Sequence, residues 1–280
     1  MRLGVDVGGS KVEVALLDRE GRVARRQRAA TPHGSYEEAL HALSATILAV
    51  ERDAGEQCTV GVGIPGALSP RSGLVQNAYN TPLNGRPLKS DLEAALARGV
   101  QVANDANCFA LSEALDGAAR GARVVFGAIL GTGAGGGIAV DRRVLEGRNA
   151  IGGEWGHNPL PWMTREEHPG PACYCGRSGC IEQFVSGPAL ARDKTAVGES
   201  AALARYQDRL ARALAHVVNL LDPDVIVLGG GVSNLEQLYA EVPPLLARYV
   251  YARSFDTPLL RAAHGDASGV RGAAMLWDQT

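Results

Sequence analysis

Apolar and other positions alternate in two short stretches at the start of the chain, separated by a pair of glycines. The alternating apolar positions are Leu3, Val5 and Val7 before Gly8-Gly9, and Val12, Val14 and Leu16 after it. Alternation with period two is typical of β-strands, and a glycine pair is typical of the turn that joins two of them. Residues 2–17 therefore predict a strand, a turn and a second strand.

The same analysis predicts further elements along the chain. Helices are predicted over 36–51, 90–98, 104–119, 201–221 and 235–249 and before residue 277, and strands over 60–64, 100–103, 124–130, 138–140 and 224–228. Residues 124–140, with a glycine loop at 131–137, repeat the opening pattern of strand, glycines and strand. Two similar halves predict a cleft between them, in which both glycine loops could hold one nucleotide.

Composition narrows the class of protein. The 280 residues are 46% hydrophobic and carry a net charge of −2, which excludes global disorder and a strongly basic nucleic-acid binder. We see no transmembrane segment and no signal peptide, so we expect a cytoplasmic protein that binds neither membranes nor nucleic acid. Glycine accounts for 35 of the 280 residues, a share well above the average of roughly 7%. The glycines also cluster, which predicts loops of special conformation.

The second glycine loop, Gly-Thr-Gly-Ala-Gly-Gly at 131–136, matches the dinucleotide-binding pattern GxGxxG. That site needs a helix after the glycines, whereas an apolar strand follows here, so we reject it. A strand–glycine–strand hairpin can instead surround phosphates with backbone N–H groups and the Thr132 hydroxyl. The alternative is a tight β-turn, which would need fewer glycines.

The first loop places polar side chains at the end of a strand. Asp6 could hold Mg²⁺ through water, and Ser10 and Lys11 could contact phosphate oxygens. The alternative is a hairpin with a solvated lysine.

Farther on, Asn104 and Asp105 follow an apolar strand and begin a helix. They are either helix caps or, for Asp105, a general base at the strand end where α/β ligands bind.

Three of the five cysteines, Cys173, Cys175 and Cys180, lie within eight residues. Crowded cysteines beside histidines indicate a zinc site, and the alternative is surface thiols in a loop. The fourth ligand is ambiguous from the residues alone. His168 is nearer in sequence to the cysteines than His157, and its spacing is the more compact.

These motifs occur in a characteristic order. They lie at 6–11, 63–66, 104–107, 130–133, 153–157, 173–182 and 228–231. Together they resemble the ROK family of sugar kinases (repressor, open reading frame, kinase) from end to end. The stretches 77–78, 83–85, 153–162 and 264–266 look most like the bacterial fructokinase branch, which also accepts mannose.

The resemblance implies an α/β, actin-like ATPase fold of two RNase H-like lobes with a central nucleotide and sugar cleft. We expect a small N-terminal lobe of 1–106 with 267–280, and a large C-terminal lobe of 107–266 that carries a zinc-binding loop. The implied activity is ATP-dependent phosphorylation of the 6-hydroxyl of fructose, with mannose as a second substrate. We also expect a homodimer.

Four alternatives to fructokinase stay open. Two lie within the enzyme class, a glucokinase and an N-acetylhexosamine kinase. The third is a non-catalytic sugar-sensing regulator, which retention of Asp105 and both glycine loops disfavours. The fourth is a transcriptional repressor of the family, which would carry a DNA-binding module before the kinase-like part. Because the phosphate-binding strand begins at Arg2, we expect no such module.

The resemblance also assigns residues. Asp105 matches the catalytic base, and the sugar-binding set is Gly66, Asn104, Asp105, Glu154, His157 and Glu182. The ATP-binding set is Asp6, Gly8, Gly9, Ser10, Lys11, Gly131, Thr132, Gly133, Gly229, Gly230 and Gly231, with Mg²⁺ as cofactor. The ligands of a structural Zn²⁺ are His157, Cys173, Cys175 and Cys180, so the family favours His157 over His168. Three features depart from the family pattern: Ser10 in place of the usual threonine, Pro82 in place of an aromatic residue, and a shortened segment between Gly187 and Tyr206.

Overall fold

The computed structural model describes residues 1–9, 11–31, 34–78 and 81–279. Its strands are β1 (Arg2–Val7), β2 (Lys11–Leu17), β3 (Val23–Ala30), β4 (Thr59–Ile64), β5 (Ala67–Leu68), β6 (Val75–Gln76), β7 (Gln101–Asn104), β8 (Val124–Leu130), β9 (Ala134–Val140), β10 (Arg143–Val144), β11 (Val225–Gly229) and β12 (Leu259–Arg261). Its helices are α1 (Tyr36–Ala54), α2 (Leu88–Leu96), α3 (Asp105–Leu115), α4 (Glu182–Val185), α5 (Gly187–Val197), α6 (Glu199–Leu221), α7 (Gln237–Leu246) and α8 (Ser268–Ala274). Within the described ranges, no helix combines the length and apolar character needed to cross a bilayer.

The chain divides into two compact units. The first comprises Met1–Ser112, Arg142–Gly152 and Ala267–Thr280, and the second comprises Glu113–Asp141 and Gly153–Asp266. The division expected from the sequence placed all of 107–266 in one lobe. In the structure, residues 107–112 and 142–152 belong to the first unit instead.

The first unit is built on a five-stranded sheet of order β3-β2-β1-β4-β7. Strand β1 runs antiparallel to β2 and parallel to β4, which in turn is parallel to β7. Helix α1 begins at Ser35, whose side chain and that of Glu38 form a capping box, and it ends at the left-handed Gly55. Because both ends satisfy backbone groups locally, the helix boundaries follow from these residues.

The second unit contains the adjacent strands β9-β8-β11-β12. Strand β8 is antiparallel to β9, and β11 is parallel to both β8 and β12. A glycine turn joins β8 to β9, as another joins β1 to β2, so the predicted repetition of strand, glycine turn and strand is present. Since β8 and β11 are parallel, their glycine-bearing carboxyl ends meet at one edge of the sheet.

The predicted glycine loop at 131–137 is shorter in the structure. Strand β9 begins at Ala134, and Gly136 and Gly137 pair with Ala128 and Gly127 of β8. Only residues 131–133 remain as a turn. Gly136 and Gly137 therefore belong to a strand and not to a loop.

Two elements had no signal in the pattern of the sequence. All eight residues of β3 are exposed, so its sequence shows no alternation that would reveal a strand. Helix α5 lies within the segment between residues 187 and 206 and buries only Ala189 and Leu190. A helix or strand that contributes so little to a core leaves little periodicity to detect.

Helix α8 packs directly on the sheet of the first unit, at glycines in β1 and β4. A Cβ atom at Gly4 would lie 2.0 Å from the carbonyl oxygen of Val270, and one at Gly61 would lie 1.9 Å from that of Ala273. Such distances are far below van der Waals contact, so these positions admit only glycine while the helix stays in place. The C-terminal segment is therefore an integral layer of the first unit.

Candidate functional site

In the first unit, Asn104 and Asp105 lie where β7 passes into α3. Asn104 Oδ1 accepts hydrogen bonds from the N–H groups of Ala106 (2.9 Å) and Asn107 (3.2 Å), which makes it the cap of α3. Its Nδ2 donates to the carbonyl oxygen of Gly66 at 2.9 Å. Gly66 has φ of 69°, and a Cβ there would lie 2.1 Å from the oxygen of Gln76. The cap is therefore present and fixes Asn104 beside Gly66, while the functional interpretation of Asn104 and Asp105 stays a prediction.

Asp6, at the end of β1, is a carboxyl group under electrostatic strain. Burial, followed by the charges of Asp105 and Glu13, raises its pKa to about 7, and Lys11 opposes them. Its oxygens lie next to Gly269 and Gly63, where Cβ atoms would approach to 3.0 and 3.6 Å. A partly buried carboxylate repelled by neighbouring acids suits a divalent cation, so the donor set is compatible with water-mediated Mg²⁺.

The first glycine turn is held by its own backbone. The N–H of Gly8 donates to the carbonyl oxygen of Lys11 at 2.9 Å, and the Thr31 hydroxyl donates to that of Gly8 at 2.7 Å. The Lys11 ammonium is half-exposed and lies 3.9 Å from the buried carboxylate of Glu13. Gly9 is exposed, and Ser10 lies outside the described residues. The Lys11 ammonium is thus paired with Glu13 on one side, and its exposed side can still bind an anion.

A polar cavity of about 220 Å³ adjoins Asn104 in the first unit. Its lining includes the edge strand β7, Lys89, Glu146 and Asn107. Asn107 is 4% exposed, and its Oδ1 has no hydrogen-bond partner. A buried acceptor without a partner is costly unless a ligand or water donates to it. Our sequence analysis missed Asn107, although it ends the Asn104–Asn107 motif.

In the second unit, the turn after β8 is open where a phosphate would approach. The N–H of Gly131 donates to the carbonyl oxygen of Gly133 at 3.0 Å, and the Thr132 side chain is exposed. A Cβ at Gly131 would meet nothing within 4 Å. At the end of β11, Gly230 has φ of 79°, and its Cβ would lie 2.4 Å from the carbonyl oxygen of Leu130. Residues 229–231 therefore pack beside this turn.

The segment Glu154–His157 lies flat on β9. Trp155 donates from Nε1 to the carbonyl oxygen of Gly135 at 2.8 Å. A Cβ at Gly136 would lie 2.6 Å from the indole ring of Trp155, and one at Gly156 would lie 2.0 Å from the oxygen of Ala134. The close approach of this segment accounts for Gly136 of β9 without any phosphate contact. After Asn107, Trp155 is a second residue whose structural role the sequence did not reveal.

The acidic side chains of the second unit form a cluster with His157. Burial raises the pKa of Glu154, the charge of Glu182 adds to this effect, and His157 opposes it. The Glu182 carboxylate is buried and accepts a hydrogen bond from the N–H of Ala134 at 3.0 Å. Two carboxylates and an imidazole that interact in this way offer several hydrogen-bonding groups to a polyhydroxylated ligand.

Four potential metal ligands converge beside this cluster. The side-chain ligand atoms of His157, Cys173, Cys175 and Cys180 all lie within 4.8 Å of one another, and His168 is not among them. Cys175 Sγ lies 3.6 Å from Cys180 Sγ, and Cys173 Sγ lies 3.6 Å from His157 Nδ1. Sulfur ligands about 2.3 Å from a tetrahedral zinc ion lie about 3.8 Å apart, so the donor set and its spacing fit zinc.

The thiols of the cluster have unequal pKa values. Burial raises the pKa of Cys175, but hydrogen bonds from Arg177 and the neighbouring thiols outweigh it and lower that pKa to about 6. Burial, together with the neighbouring thiols of Cys175 and Cys173, raises the pKa of Cys180 to about 12. His157 Nε2 lies 2.9 Å from the Tyr174 hydroxyl, an interaction that leaves Nδ1 toward the cysteines. His157 would reach a sugar hydroxyl through Nε2 only by releasing Tyr174.

Comparison with known protein families decides the identity of the chain. The family model described as "ROK family" matches residues 2–280. The chain belongs to the ROK family. The resemblance inferred from the motifs is confirmed, and so is the actin-like α/β fold class.

Three relatives illustrate what this ROK protein is similar to. An N-acetyl-D-glucosamine kinase of Photobacterium profundum is 38% identical over 299 residues, covering 99% of both chains. A ROK hexokinase of Thermus thermophilus is 32% identical with a TM-score of 0.85, covering 98% of this chain and 97% of its own. A ROK glucokinase of Streptomyces griseus, solved with glucose and AMPPNP, is 28% identical with a TM-score of 0.83, covering 98% of each chain.

These comparisons refine our sequence interpretation. The ROK protein is a sugar kinase, as expected. The fructokinase branch, which four short stretches favoured, finds no support among these relatives, and the alternative of an N-acetylhexosamine kinase is favoured instead. Short stretches around a sugar site recur across kinases of different specificity, because all must hold similar hydroxyl groups. They identify the family better than the substrate.

We predict that the ROK protein binds one zinc ion per chain through His157 and the three cysteines. His157→Ala should remove most of the zinc and lower the melting temperature, because a three-ligand site is open to water. His168→Ala is the matched control and should keep both. Elemental analysis of protein purified without chelator measures the content. Zinc lost in His168→Ala but retained in His157→Ala would reverse the ligand assignment.

A second prediction concerns the stability of the nucleotide-free protein. The folded-state pKa of Asp6, about 7, lies above the ordinary aspartate value of 3.8, so its stabilising contribution is full below pH 3.8 and is lost progressively as pH rises through 7. Asp6→Asn should therefore raise the melting temperature more at pH 8 than at pH 5, by about 2–4 °C for each 1 kcal/mol of stability recovered.

Asp18→Asn is the control for this experiment. Asp18 is a surface residue whose pKa the side-chain hydrogen bond from Arg22 lowers. Its replacement should not stabilise the protein at either pH. A melting temperature of Asp6→Asn that is unchanged or lower at pH 8 would contradict the destabilising role of the Asp6 carboxylate.

Proposed function

We propose that this protein phosphorylates N-acetyl-D-glucosamine at its 6-hydroxyl, with ATP as the phosphoryl donor. The observation that carries the proposal is the end-to-end likeness to the Photobacterium N-acetyl-D-glucosamine kinase. The cluster of the half-buried Glu154 and His157 with the buried Glu182 supports it chemically, because carboxylates are strong acceptors for sugar hydroxyls. We infer that these three residues bind sugar hydroxyls in the second unit, and that Asn104 and Gly66 are the sugar-binding residues of the first unit.

Asp105 is the proposed general base. It begins α3 at the carboxyl end of β7, and its Oδ1 accepts a hydrogen bond from the N–H of Ala106 at 2.8 Å, which orients the carboxylate. A carboxylate fixed in this way can take the proton of the sugar hydroxyl as that oxygen attacks the γ-phosphorus of ATP. The oxygen–phosphorus bond to the new ester forms while the bond to ADP breaks, and the proton remains on Asp105.

Phosphate binding is assigned to the glycine turns. In the first unit, Gly9 is proposed to offer its N–H and Lys11 its cation, Gly8 shapes the turn by donating its own N–H to the carbonyl oxygen of Lys11, and Ser10 is proposed to add a hydroxyl. In the second unit, Gly131, Thr132 and Gly133 present an open turn, and Gly229, Gly230 and Gly231 are proposed to lie near the nucleoside. Mg²⁺, when bound with ATP, supplies charge neutralisation at the phosphates, and Asp6 is its proposed water-mediated ligand.

Zinc has a structural role in this proposal. Three thiolates and one imidazole complete a tetrahedral shell, which leaves no open position for substrate. The cysteines follow Glu154 and precede Glu182 in the chain, so a bound ion would hold both carboxylate-bearing segments in place.

A coupled assay over several sugars tests the substrate. We expect kcat/KM for N-acetyl-D-glucosamine to exceed that for glucose, mannose, N-acetylmannosamine and fructose by at least about tenfold. A discrimination of this size needs roughly 1.4 kcal/mol of differential transition-state binding, which one well-placed hydrogen bond can supply. Glucose is the closest competitor, given the Thermus and Streptomyces enzymes. A highest value for fructose would restore the fructokinase hypothesis and leave the kinase assignment in place.

Replacing the base tests the mechanism. Asp105→Asn should lower kcat by about two to four orders of magnitude, because the amide cannot accept the proton. Sugar binding measured by calorimetry should change much less. Asp141→Asn, an exposed aspartate paired with Arg123, is the control and should keep full activity. Near-normal kcat in Asp105→Asn would remove the general-base assignment.

A further inference from the structure

The sugar-binding cluster and the phosphate-binding turn of the second unit are in direct contact through one side chain. Glu182 Oε2 accepts the N–H of Ala134, the first residue after the turn, at 3.0 Å. A Cβ at Gly133 would lie only 2.5 Å from the same oxygen. The carboxylate therefore sits against the backbone of residues 133 and 134, with no side chain between them.

The segment that carries Glu182 is attached to the same turn at a second point. The N–H of Gly187 donates to the carbonyl oxygen of Gly131 at 2.8 Å. Thus α4 and the start of α5 hold both ends of the three-residue turn, one through a side chain and one through the backbone. Of these two contacts, only that of Glu182 comes from a side chain proposed to bind the sugar.

Glu154 provides the contrast. It belongs to the same cluster, and its pKa responds to burial and to the charges of Glu182 and His157. Among the described residues, however, its carboxylate makes no hydrogen bond to the turn. The neighbouring Trp155 contacts β9 instead. Both glutamates are proposed to bind the sugar, but only Glu182 also contacts the backbone at the phosphate-binding turn.

We propose that Glu182 is a positioning residue through which sugar binding orders the phosphate-binding turn. The inference rests on the proposed function, because it requires a sugar hydroxyl to donate to this carboxylate. A hydroxyl bound to Glu182 fixes the orientation of both carboxylate oxygens, and with them the N–H of Ala134. Glycines 131 and 133 have wide conformational freedom, so a turn that is already fixed loses less entropy when phosphate binds.

The proposal has a measurable consequence in binding. Sugar should tighten the binding of AMPPNP with Mg²⁺, and by reciprocity AMPPNP should tighten the binding of sugar by the same factor. We expect this factor to be at least about fivefold in the wild-type protein, the lower end of common coupling energies. Isothermal titration calorimetry gives both affinities without turnover.

Three variants locate the coupling. Glu182→Asp shortens the side chain by one methylene, which withdraws its oxygen from Ala134, and should reduce the coupling factor to below about twofold. Glu182→Gln retains an oxygen of the right length for the Ala134 N–H and should keep most of the coupling. Glu154→Asp is the matched control, which should weaken sugar binding yet leave the coupling factor unchanged.

The outcomes separate this inference from the proposed function. The titration uses N-acetyl-D-glucosamine, or another hexose of the assay if the wild-type protein prefers it. Wild-type coupling that persists in Glu182→Asp, or is lost equally in Glu154→Asp, would overturn the role of Glu182 alone. Absence of coupling in the wild-type protein would do the same. Absence of binding by every sugar of the panel would overturn both proposals. Cooperative thermal unfolding of each variant shows that it is folded.

Discussion

The close approach of the Glu154–His157 segment and Glu182 to the glycine strand β9 is the constraint on which the second unit depends. Side chains at Gly133, Gly136 or Gly156 would collide with Glu182, Trp155 or a backbone oxygen, at distances of 2.0 to 2.6 Å. These glycines thus place the proposed sugar-binding carboxylates directly on the strand that begins at the phosphate-binding turn. The proposed sugar-binding carboxylates and the phosphate-binding turn are therefore in direct packing contact. Because protein interiors are dense, a displacement of one of them is transmitted to the other.

Buried charge is handled in opposite ways in structural and proposed functional positions. Glu167 receives hydrogen bonds from Arg209 and Arg212 at 2.8 Å each, and these outweigh burial and lower its pKa to about 2. Asp6 and Glu154 instead have raised pKa values, because their surroundings offer burial and neighbouring acids. A carboxylate that the fold leaves without sufficient compensation is one that a cation or a hydroxyl ligand can satisfy. Such groups mark functional positions, although they reduce the stability of the ligand-free protein.

The sequence allowed much of this to be predicted, where the signal is local. The strand–glycine–strand units, the α/β class and the family follow from alternation and ordered motifs, and the clustering of His157 with three cysteines followed from the family rather than from spacing. The glycines of β9 misled the loop prediction, because sequence shows a missing side chain but not the indole ring that needs the space. Asn107 and β3 escaped notice since an unpaired acceptor and an exposed strand leave no pattern. The fructokinase prediction found no support, because kinases that act on different sugars must hold similar hydroxyl groups and share these short stretches.

The position of α8 has a consequence for how the chain is made. The first unit contains residues from both ends of the sequence, and glycines in β1 and β4 are reserved for a helix that begins at Ser268. On the ribosome, synthesis proceeds from the N-terminus at about 5–20 residues per second. Strands β1 and β4 emerge early, while α8, which covers them, is synthesised much later. Until α8 has been synthesised, the face of the sheet containing Gly4 and Gly61 stays uncovered, and the nascent chain must be kept from aggregating over that interval.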